Sequence, residues 1–161
     1  MPRALVALCL TLLAGPLLAA EQIDIGLSSS GARIQGVSIP GTSPNSPTVL
    51  LIGGIRGNDA SVASVRDQIQ QFDSLRPQQR GFRLLAIPLA NPDGTTLKFP
   101  PSGVAYRENA TANVLWRWIG IHAPDLVLVA GNEDFELAQA LSQEIVAEVG
   151  HIPARRVPAK A

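Results

Sequence analysis

The residues that could do chemistry in this sequence are concentrated where a short apolar segment meets a glycine turn. Thr48–Ile52 is followed by Gly53-Gly54, and then by Arg56 and Asp59, a cation and a carboxylate three residues apart. A carboxylate here could reach a metal ion or cap a helix. A guanidinium is a permanent cation with no acceptor atom, so Arg56 can bind an anion but cannot be a metal ligand.

The elements that must position these residues are a strand before the turn and a helix after it. Val49–Ile52 is a continuous apolar run, which is typical of a strand buried on both faces of a parallel sheet. In Ala60–Phe72, apolar residues recur at spacings of three and four, which predicts a helix capped by Asn58 or Asp59. Open α/β sheets bind their ligands at the carboxyl edge of such strands.

The rest of the chain repeats this pattern. We predict two more buried strands, Phe82–Leu89 and Leu126–Ala130, and two short, partly exposed strands within Glu21–Pro40. Two further helices are predicted, over Asn109–Ile121 and Glu133–Val149. The fold class is therefore α/β, with a mainly parallel sheet and flanking helices. Residues 151–161 are predicted to be a flexible tail, which leaves 21–150 as the folded domain.

The turn Gly53–Asp59, with the sequence GGIRGND, resembles the first metal-binding motif of the zinc carboxypeptidases, G-G-x-H-G-x-E. These are the M14 metallocarboxypeptidases and their succinylglutamate desuccinylase/aspartoacylase relatives. A strand ending in Asn91-Pro92-Asp93-Gly94 and a later strand introduced by Pro124-Asp125 follow in the family's order. The resemblance spans about residues 45–150 and implies the N-terminal part of the carboxypeptidase fold, in an incomplete domain.

The resemblance implies zinc as the cofactor, but the ligands of the family are largely replaced. Arg56 and Ala130 stand where the family has its two histidines, and Asp59 stands where it has a glutamate. A catalytic zinc needs three protein ligands and an open position for water. With Asp59 as the one remaining candidate, we expect no bound zinc and assign no catalytic residue. His122 precedes its strand and His151 lies in the tail, so neither is predicted to substitute.

The family next presents an N-R-N-F-type segment that holds the terminal carboxylate of the substrate. Tyr106-Arg107-Glu108-Asn109 lies in about the corresponding place. By this resemblance Arg107 and Asn109 are candidate substrate-binding residues. Arg56 is a third candidate, because a fixed cation at the end of a strand could bind an anionic group. The alternative for Arg107 is a structural ion pair with Glu108 or a neighbour. The implied ligand is a peptide or a peptidoglycan fragment.

The N-terminal segment and the composition predict where the protein is located and which partners it lacks. Residues 1–20 have one arginine, an apolar run and a small-residue end, which predicts a signal peptide and a periplasmic or secreted protein with no stable membrane span after cleavage. The only cysteine, Cys9, lies in that segment, so the mature chain would contain no disulfide or thiolate site. Thirteen basic residues balance thirteen acidic ones, which gives no electrostatic case for nucleic acid.

Three hypotheses about function follow from the sequence. The first is an exported carboxypeptidase-like domain that has lost zinc binding and peptidase activity and binds peptide or cell-wall fragments. The second is a truncated, non-functional fragment of a metallocarboxypeptidase, which would expose a sheet edge. The third is an active hydrolase, with an unorthodox metal site or as a serine hydrolase of another α/β family. The sequence has no G-x-S-x-G nucleophile elbow, which argues against the serine hydrolase.

Overall fold

The computed structural model describes residues 20–104, 107–131, 135–146 and 148–159. The predicted signal peptide lies outside these ranges except for Ala20, as does Cys9. The described residues form six strands and three α-helices: β1 (Glu21–Leu27), β2 (Arg33–Ile39), β3 (Thr48–Ile52), α1 (Ala60–Asp73), β4 (Arg83–Ile87), α2 (Ala110–His122), β5 (Leu126–Ala130), α3 (Phe135–Gln143) and β6 (Ala154–Val157).

The six strands form one mixed sheet with the order β1-β2-β4-β3-β5-β6. Strands β3 to β6 run parallel, whereas β1 and β2 form an antiparallel hairpin that joins the sheet through an antiparallel pairing of β2 with β4. The prediction of a mainly parallel α/β sheet with flanking helices is confirmed. Since β4 and β5 lie on opposite sides of β3, the chain changes direction there, and a crevice is expected at the carboxyl end of β3.

The two faces of the sheet carry separate apolar clusters. Leu50 and Ile52 of β3 belong to the larger cluster, which includes Leu115 of α2 and Leu137 of α3. Leu51 belongs to the smaller cluster, which is covered by α1. We call these the α2/α3 face and the α1 face. Side chains along a strand alternate between the two faces of the sheet. The cluster to which a strand residue belongs therefore shows the face on which its side chain lies.

The third helix is shorter than the sequence predicts. The apolar spacing predicts a helix to Val149, but α3 ends at Gln143. Ile145 and Val149, which continue the apolar spacing, are exposed, and Val146 instead forms an isolated bridge with Gly150. The chain reverses here to return to the sheet, so tertiary structure overrides the helical pattern. Among the described helices, none is long and apolar enough to cross a membrane.

The predicted flexible tail contains a strand, so that prediction is wrong for Ala154–Val157. This segment, β6, pairs in parallel with β5, with Val127 opposite Ala154 and Ala130 opposite Val157. Ala154 packs against the larger cluster and Val157 against the smaller one. Only two of the four β6 residues are apolar, and they lie on opposite faces, so the sequence shows no strand pattern. The sheet therefore extends beyond the predicted boundary at residue 150.

Candidate functional site

The turns that follow β3 and β4 are hydrogen-bonded side by side at the carboxyl edge of the sheet. The backbone N–H of Ala90 donates to the Gly53 carbonyl at 3.0 Å, and that of Asn91 donates to the Gly54 carbonyl at 2.9 Å. Gly54 has a φ of +62°, and a Cβ there would lie 2.9 Å from the Leu89 Cα. Only glycine meets both conditions without strain, so this residue permits the close approach of the two turns.

The side chain of Asn91 fastens these loops together. It is fully buried, and its Nδ2 donates to the carbonyls of Ile55 at 2.8 Å and Thr95 at 2.6 Å. Its Oδ1 is buried and has no hydrogen-bond partner among the described residues. The predicted turn is present, since the Gly94 N–H donates to the Asn91 carbonyl at 3.1 Å. The loop after β4 is thereby fixed against the loop after β3.

A cluster of hydroxyl groups fixes the same loop from the other side. The carboxylate of Asp93 accepts hydrogen bonds from the hydroxyls of Ser30 at 2.6 Å and Ser28 at 2.7 Å. The hydroxyl hydrogen bonds, that of Ser30 foremost, lower the pKa of Asp93 below its ordinary value of 3.8. The neighbouring Ser29 N–H donates to Thr111 Oγ1 at 3.0 Å. The β1–β2 turn therefore links the loop after β4 to the start of α2.

Asp59 acts as the N-cap of α1, one of the two predicted candidates. Its Oδ1 accepts the Ser61 N–H at 2.8 Å and the Ser61 hydroxyl at 2.5 Å. The same hydroxyl oxygen accepts the Gly54 N–H at 2.7 Å. One oxygen of the only candidate metal ligand is thus used to begin a helix and to hold the glycine turn.

A cavity of about 450 Å³ opens at this edge, on the α2/α3 face. Three parts of the chain line it: Ile55 and Arg56 after β3, Gly94–Leu97 and Phe99 after β4, and Glu136 and Leu137 of α3. Arg56 is exposed, whereas Ile55, Leu97, Phe99 and Leu137 are buried. Among the described residues, the lining thus includes a guanidinium, a carboxylate and two threonines, with buried apolar side chains beneath them.

Glu136 also lines the cavity and is not among the residues predicted from the sequence. Its Oε1 accepts the backbone N–H of Phe99 at 3.1 Å, which joins α3 to the loop after β4. The Phe99 ring stacks with Trp116 of α2, with centroids 6.3 Å apart. The available signal was an acid in the first turn of a helix that follows a buried parallel strand, a position that faces the ligand edge of such sheets.

The residues present do not fit the three-ligand zinc site that the resemblance implies. Arg56 has no lone pair to offer, and Asp59 caps a helix. Ala130 is buried in the smaller cluster, on the α1 face, whereas the cavity lies on the α2/α3 face. Among the described residues, no group of three or more His, Cys, Asp or Glu side chains could hold a metal ion.

The two histidines lie away from the cavity. His122 is the last residue of α2; its ring stacks on Trp118 with centroids 3.9 Å apart, and its Nδ1 is 2.8 Å from the Trp118 carbonyl. His151 Nδ1 is 3.1 Å from the carbonyl of Glu144. Neither residue lines the cavity, so the structure gives neither one a place beside Arg56.

Of the three predicted substrate-binding residues, the structure brings only Arg56 to the cavity. Arg107 is exposed, and its backbone N–H donates to the Val104 carbonyl at 2.9 Å. Asn109 precedes α2 with a φ of +51° and makes no side-chain capping bond. Neither residue is among those that line the cavity. Tyr106, in the same motif, lies outside the described residues.

No protein-family model and no curated protein matches this sequence. The structure is similar to a metallo-carboxypeptidase from Burkholderia cenocepacia (TM-score 0.60, 13% identity, 74% of this chain and 38% of that one). It is also similar to the carboxypeptidase A of Helicoverpa armigera (0.58, 12%, 89% and 61%). A third similar structure is an aspartoacylase family protein from Mesorhizobium loti (0.54, 13%, 89% and 63%).

These similarities define the class of fold. The described strands and helices form a metallo-carboxypeptidase-like α/β fold, as the resemblance implied. At 12 to 13% identity the comparison concerns the fold alone. The chain spans less than two thirds of the length of each of the three proteins.

Proposed function

We propose that this chain is an exported, metal-free binding domain with a carboxypeptidase-like fold. In this proposal it has lost zinc binding and peptidase activity, and its cavity binds the carboxylate of a peptide or cell-wall fragment. Export rests on the signal-peptide pattern of residues 1–20. The ligand class rests on the cavity.

The observation that carries the proposal is the position of Arg56. Its exposed side chain lines a cavity at the carboxyl end of the central strand, at the point where the strand order changes direction. A guanidinium presents two parallel N–H donors that match a carboxylate. The cavity volume of about 450 Å³ is within the range of small-molecule sites, roughly 300 to 1,000 Å³.

The proposed loss of peptidase activity rests on the replacement of the ligand residues in the metal-binding motif. A metal-bound water nucleophile requires about three protein donors around one point, and the described part of the chain offers no such group. Asp59 already makes hydrogen bonds that begin α1. The turn that resembles a zinc motif is therefore proposed to serve as a scaffold for Arg56.

The test measures metal content and ligand binding on the same preparation. We expect the purified protein to carry far less than one zinc per chain after incubation with zinc and desalting. We expect N-acetyl-leucyl-leucine to bind, and its C-terminal amide to bind at least about tenfold more weakly, because the amide cannot form a charged pair with a guanidinium. Calorimetric titration measures both affinities.

The matched variants are Arg56→Ala and Arg66→Ala. Arg66 is an exposed arginine of α1 that does not line this cavity. Arg56→Ala should abolish the preference for the free carboxylate, and Arg66→Ala should preserve it. Stoichiometric zinc would contradict the proposal in favour of a hydrolase with unexpected ligands. A protein without a cooperative thermal transition would support the non-functional fragment instead.

A further inference from the structure

The α1 face of the sheet is covered only along its middle. The helix α1 contacts β4 and β5, the two neighbours of β3 in the sheet. Among the described residues, every helix side chain in the smaller cluster belongs to α1, whereas α2 and α3 pack on the opposite face. The β1–β2 end and the β5–β6 end of the α1 face therefore have no described helix above them.

These two ends differ in chemistry. Gln22 and Gln35 of the antiparallel β1–β2 hairpin lie on this face and are exposed, as on a solvated sheet. At the other end, Leu126, Leu128 and Val157 of the parallel strands β5 and β6 lie on the face and are half-buried; we call these three residues the open strip. Parallel strands are normally covered on both faces. The open strip is therefore a surface suited to a further covering element.

A groove of about 390 Å³ lies on this face beside α1 and reaches the open strip. Ten of the twelve described residues that line it are apolar, and the two polar ones, Ser64 and Gln68, belong to α1. Its lining includes half-buried side chains, among them Val49, Leu128 and Val157, so the apolar surface is in contact with solvent.

The dimensions of the open strip match one α-helix. Neighbouring strands are about 4.8 Å apart, so β6 lies about 10 Å from β3, and packed helices are about 8 to 10 Å apart. A helix packed beside α1 would therefore lie over β5 and β6. The five residues of β5 span about 17 Å, the length of about 11 helical residues. On the opposite face, α3 already packs against the same two strands.

The open strip carries a cation that restricts the covering helix. Arg155 is exposed and pairs in register with Leu128. Since Ala154 packs on the α2/α3 face and Val157 on the α1 face, strand alternation places Arg155 on the α1 face and Arg156 on the opposite one. A carboxylate beside the apolar stripe of a docked helix would pair with Arg155.

The helices of a second copy of this chain do not match the strip. The outer side of α1 presents Arg66, Asp67 and Gln70, which are exposed and polar. Among the helix side chains that the structure describes, Ile121 is the only large apolar one that is exposed. These helices therefore offer no apolar stripe to another molecule.

We propose that the open strip docks an amphipathic α-helix of a different polypeptide, with its apolar stripe against Leu126, Leu128 and Val157 and a carboxylate paired with Arg155. None of the residues that line the groove lines the cavity at the carboxyl edge. This inference is therefore independent of the proposed function and assigns the chain a second binding surface.

The experiment measures the binding of designed peptides to the purified chain by fluorescence anisotropy at pH 7. Two helix-forming peptides of about 14 residues carry leucines at spacings of three and four, flanked by glutamates in one and by lysines in the other. We expect the glutamate peptide to bind about three- to tenfold more tightly than the lysine peptide. A third peptide, with the composition of the first but scattered leucines, should show no measurable binding.

Two pairs of variants locate the surface. Arg155→Gln should remove most of the preference for glutamate, whereas Arg156→Gln, its neighbour on the opposite face, should retain it. Leu128→Gln should weaken the glutamate peptide by about tenfold or more, whereas Ile121→Gln, on α2 and outside the groove, should not. Thermal melts confirm that the compared proteins are folded.

Several outcomes would overturn the inference. These are no binding of either striped peptide, equal binding of the striped and scattered glutamate peptides, and a preference or affinity that Arg155→Gln or Leu128→Gln leaves unchanged. A dimer of the chain that Leu128→Gln dissociates, measured by sedimentation, would instead assign the strip to a second copy. Binding of dodecanoate in place of the peptides would assign it to an acyl chain.

Discussion

The carboxylate of Asp59 accepts both the backbone N–H and the hydroxyl of Ser61, at 2.8 and 2.5 Å. Replacing Asp59 with alanine removes the cap of α1 and leaves the Ser61 hydroxyl without its acceptor. We expect the free energy of unfolding to fall by about 1 kcal/mol, up to about 2. Urea denaturation measures it. Asp59→Asn retains a capping oxygen and should lose much less, and equal losses in both variants would show that the cap contributes little.

Asp93 should make the stability of the fold depend on pH in the acid range. Its pKa is lowered below 3.8 chiefly by the hydroxyl of Ser30. A carboxyl group whose pKa is lower in the folded chain stabilises the fold at pH values above its unfolded pKa. That contribution is lost as the pH falls through the folded pKa.

We therefore expect the wild type to be more stable than Asp93→Asn at pH 7, with the difference shrinking below about pH 4. Asparagine keeps one acceptor oxygen but does not titrate, so subtracting the two curves removes the other acids common to both proteins. Thermal melts from pH 7 to pH 2.5 supply the two curves. A constant difference over that range would contradict the role assigned to this carboxylate.

Asn91 should determine both stability and ligand affinity, because its amide joins two loops that line the cavity. Asn91→Ala removes the donor from the buried hydrogen bond to the Ile55 carbonyl and from the part-buried one to the Thr95 carbonyl. A buried carbonyl left unsatisfied costs about 1 to 3 kcal/mol. We expect weaker binding of N-acetyl-leucyl-leucine as well. Denaturation and calorimetry measure the two effects.

The matched control for that variant is Asn113→Ala. The Asn113 amide also donates to two carbonyls, of Glu108 and Asn109, both at 3.2 Å, but it lies on α2 and does not line the cavity. Asn113→Ala should lower the free energy of unfolding slightly and leave the affinity for the peptide unchanged. If both variants weakened binding equally, the loss would come from general destabilisation and not from the two loops.

The strand β6 should be required for a stable fold. Deleting residues 154–161 removes the partner of β5 together with Ala154 and Val157, which pack on opposite faces. We expect the unfolding free energy to fall by about 2 kcal/mol or more, with lower solubility. Deletion of residues 158–161 alone keeps β6 and should have a much smaller effect. A long deletion as stable as the wild type would show that this pairing is dispensable.

Introducing the family's metal-binding residue types at the corresponding positions of this chain should not create a metal site. We expect Arg56→His/Asp59→Glu/Ala130→His to bind no more zinc than the wild type by metal analysis, because the Ala130 side chain is on the α1 face. A histidine there also overpacks a site that is 2% exposed, which costs about 1 to 3 kcal/mol. Stoichiometric, pH-dependent zinc uptake by the triple variant would refute this placement.

The sequence was sufficient to predict most of the fold because its central strands are unambiguous. Val49–Ile52 and Leu126–Ala130 are unbroken apolar runs. Residues 53–54 and 91–94 mark the turns that follow β3 and β4. Strand β6 could not be predicted, because a segment with two adjacent arginines gains its hydrogen bonds from a partner that is remote in sequence.

The candidate site was less predictable because it is assembled from two loops and the start of a helix. The position of Arg56 followed from the turn after β3, but whether Arg107 and Asn109 reach the same place depends on the path of the intervening loop. Glu136 carried a signal as an acid near the start of a predicted helix, but its place in the cavity depends on how α3 lies beside the loop after β4. The face of the sheet on which the Ala130 side chain lies was also not predicted, because the direction of a side chain at the end of a strand depends on where the strand ends.

The backbone at Gly131 sets a limit on redesign. It directly follows Ala130, the last residue of β5, and its φ of +150° lies in a region that other residues rarely adopt. A ligand-bearing residue at 131 would therefore require a new path for the loop as well as a new side chain. For a protein engineer, building a metal centre at this strand end is therefore a problem of loop design as well as of side-chain choice.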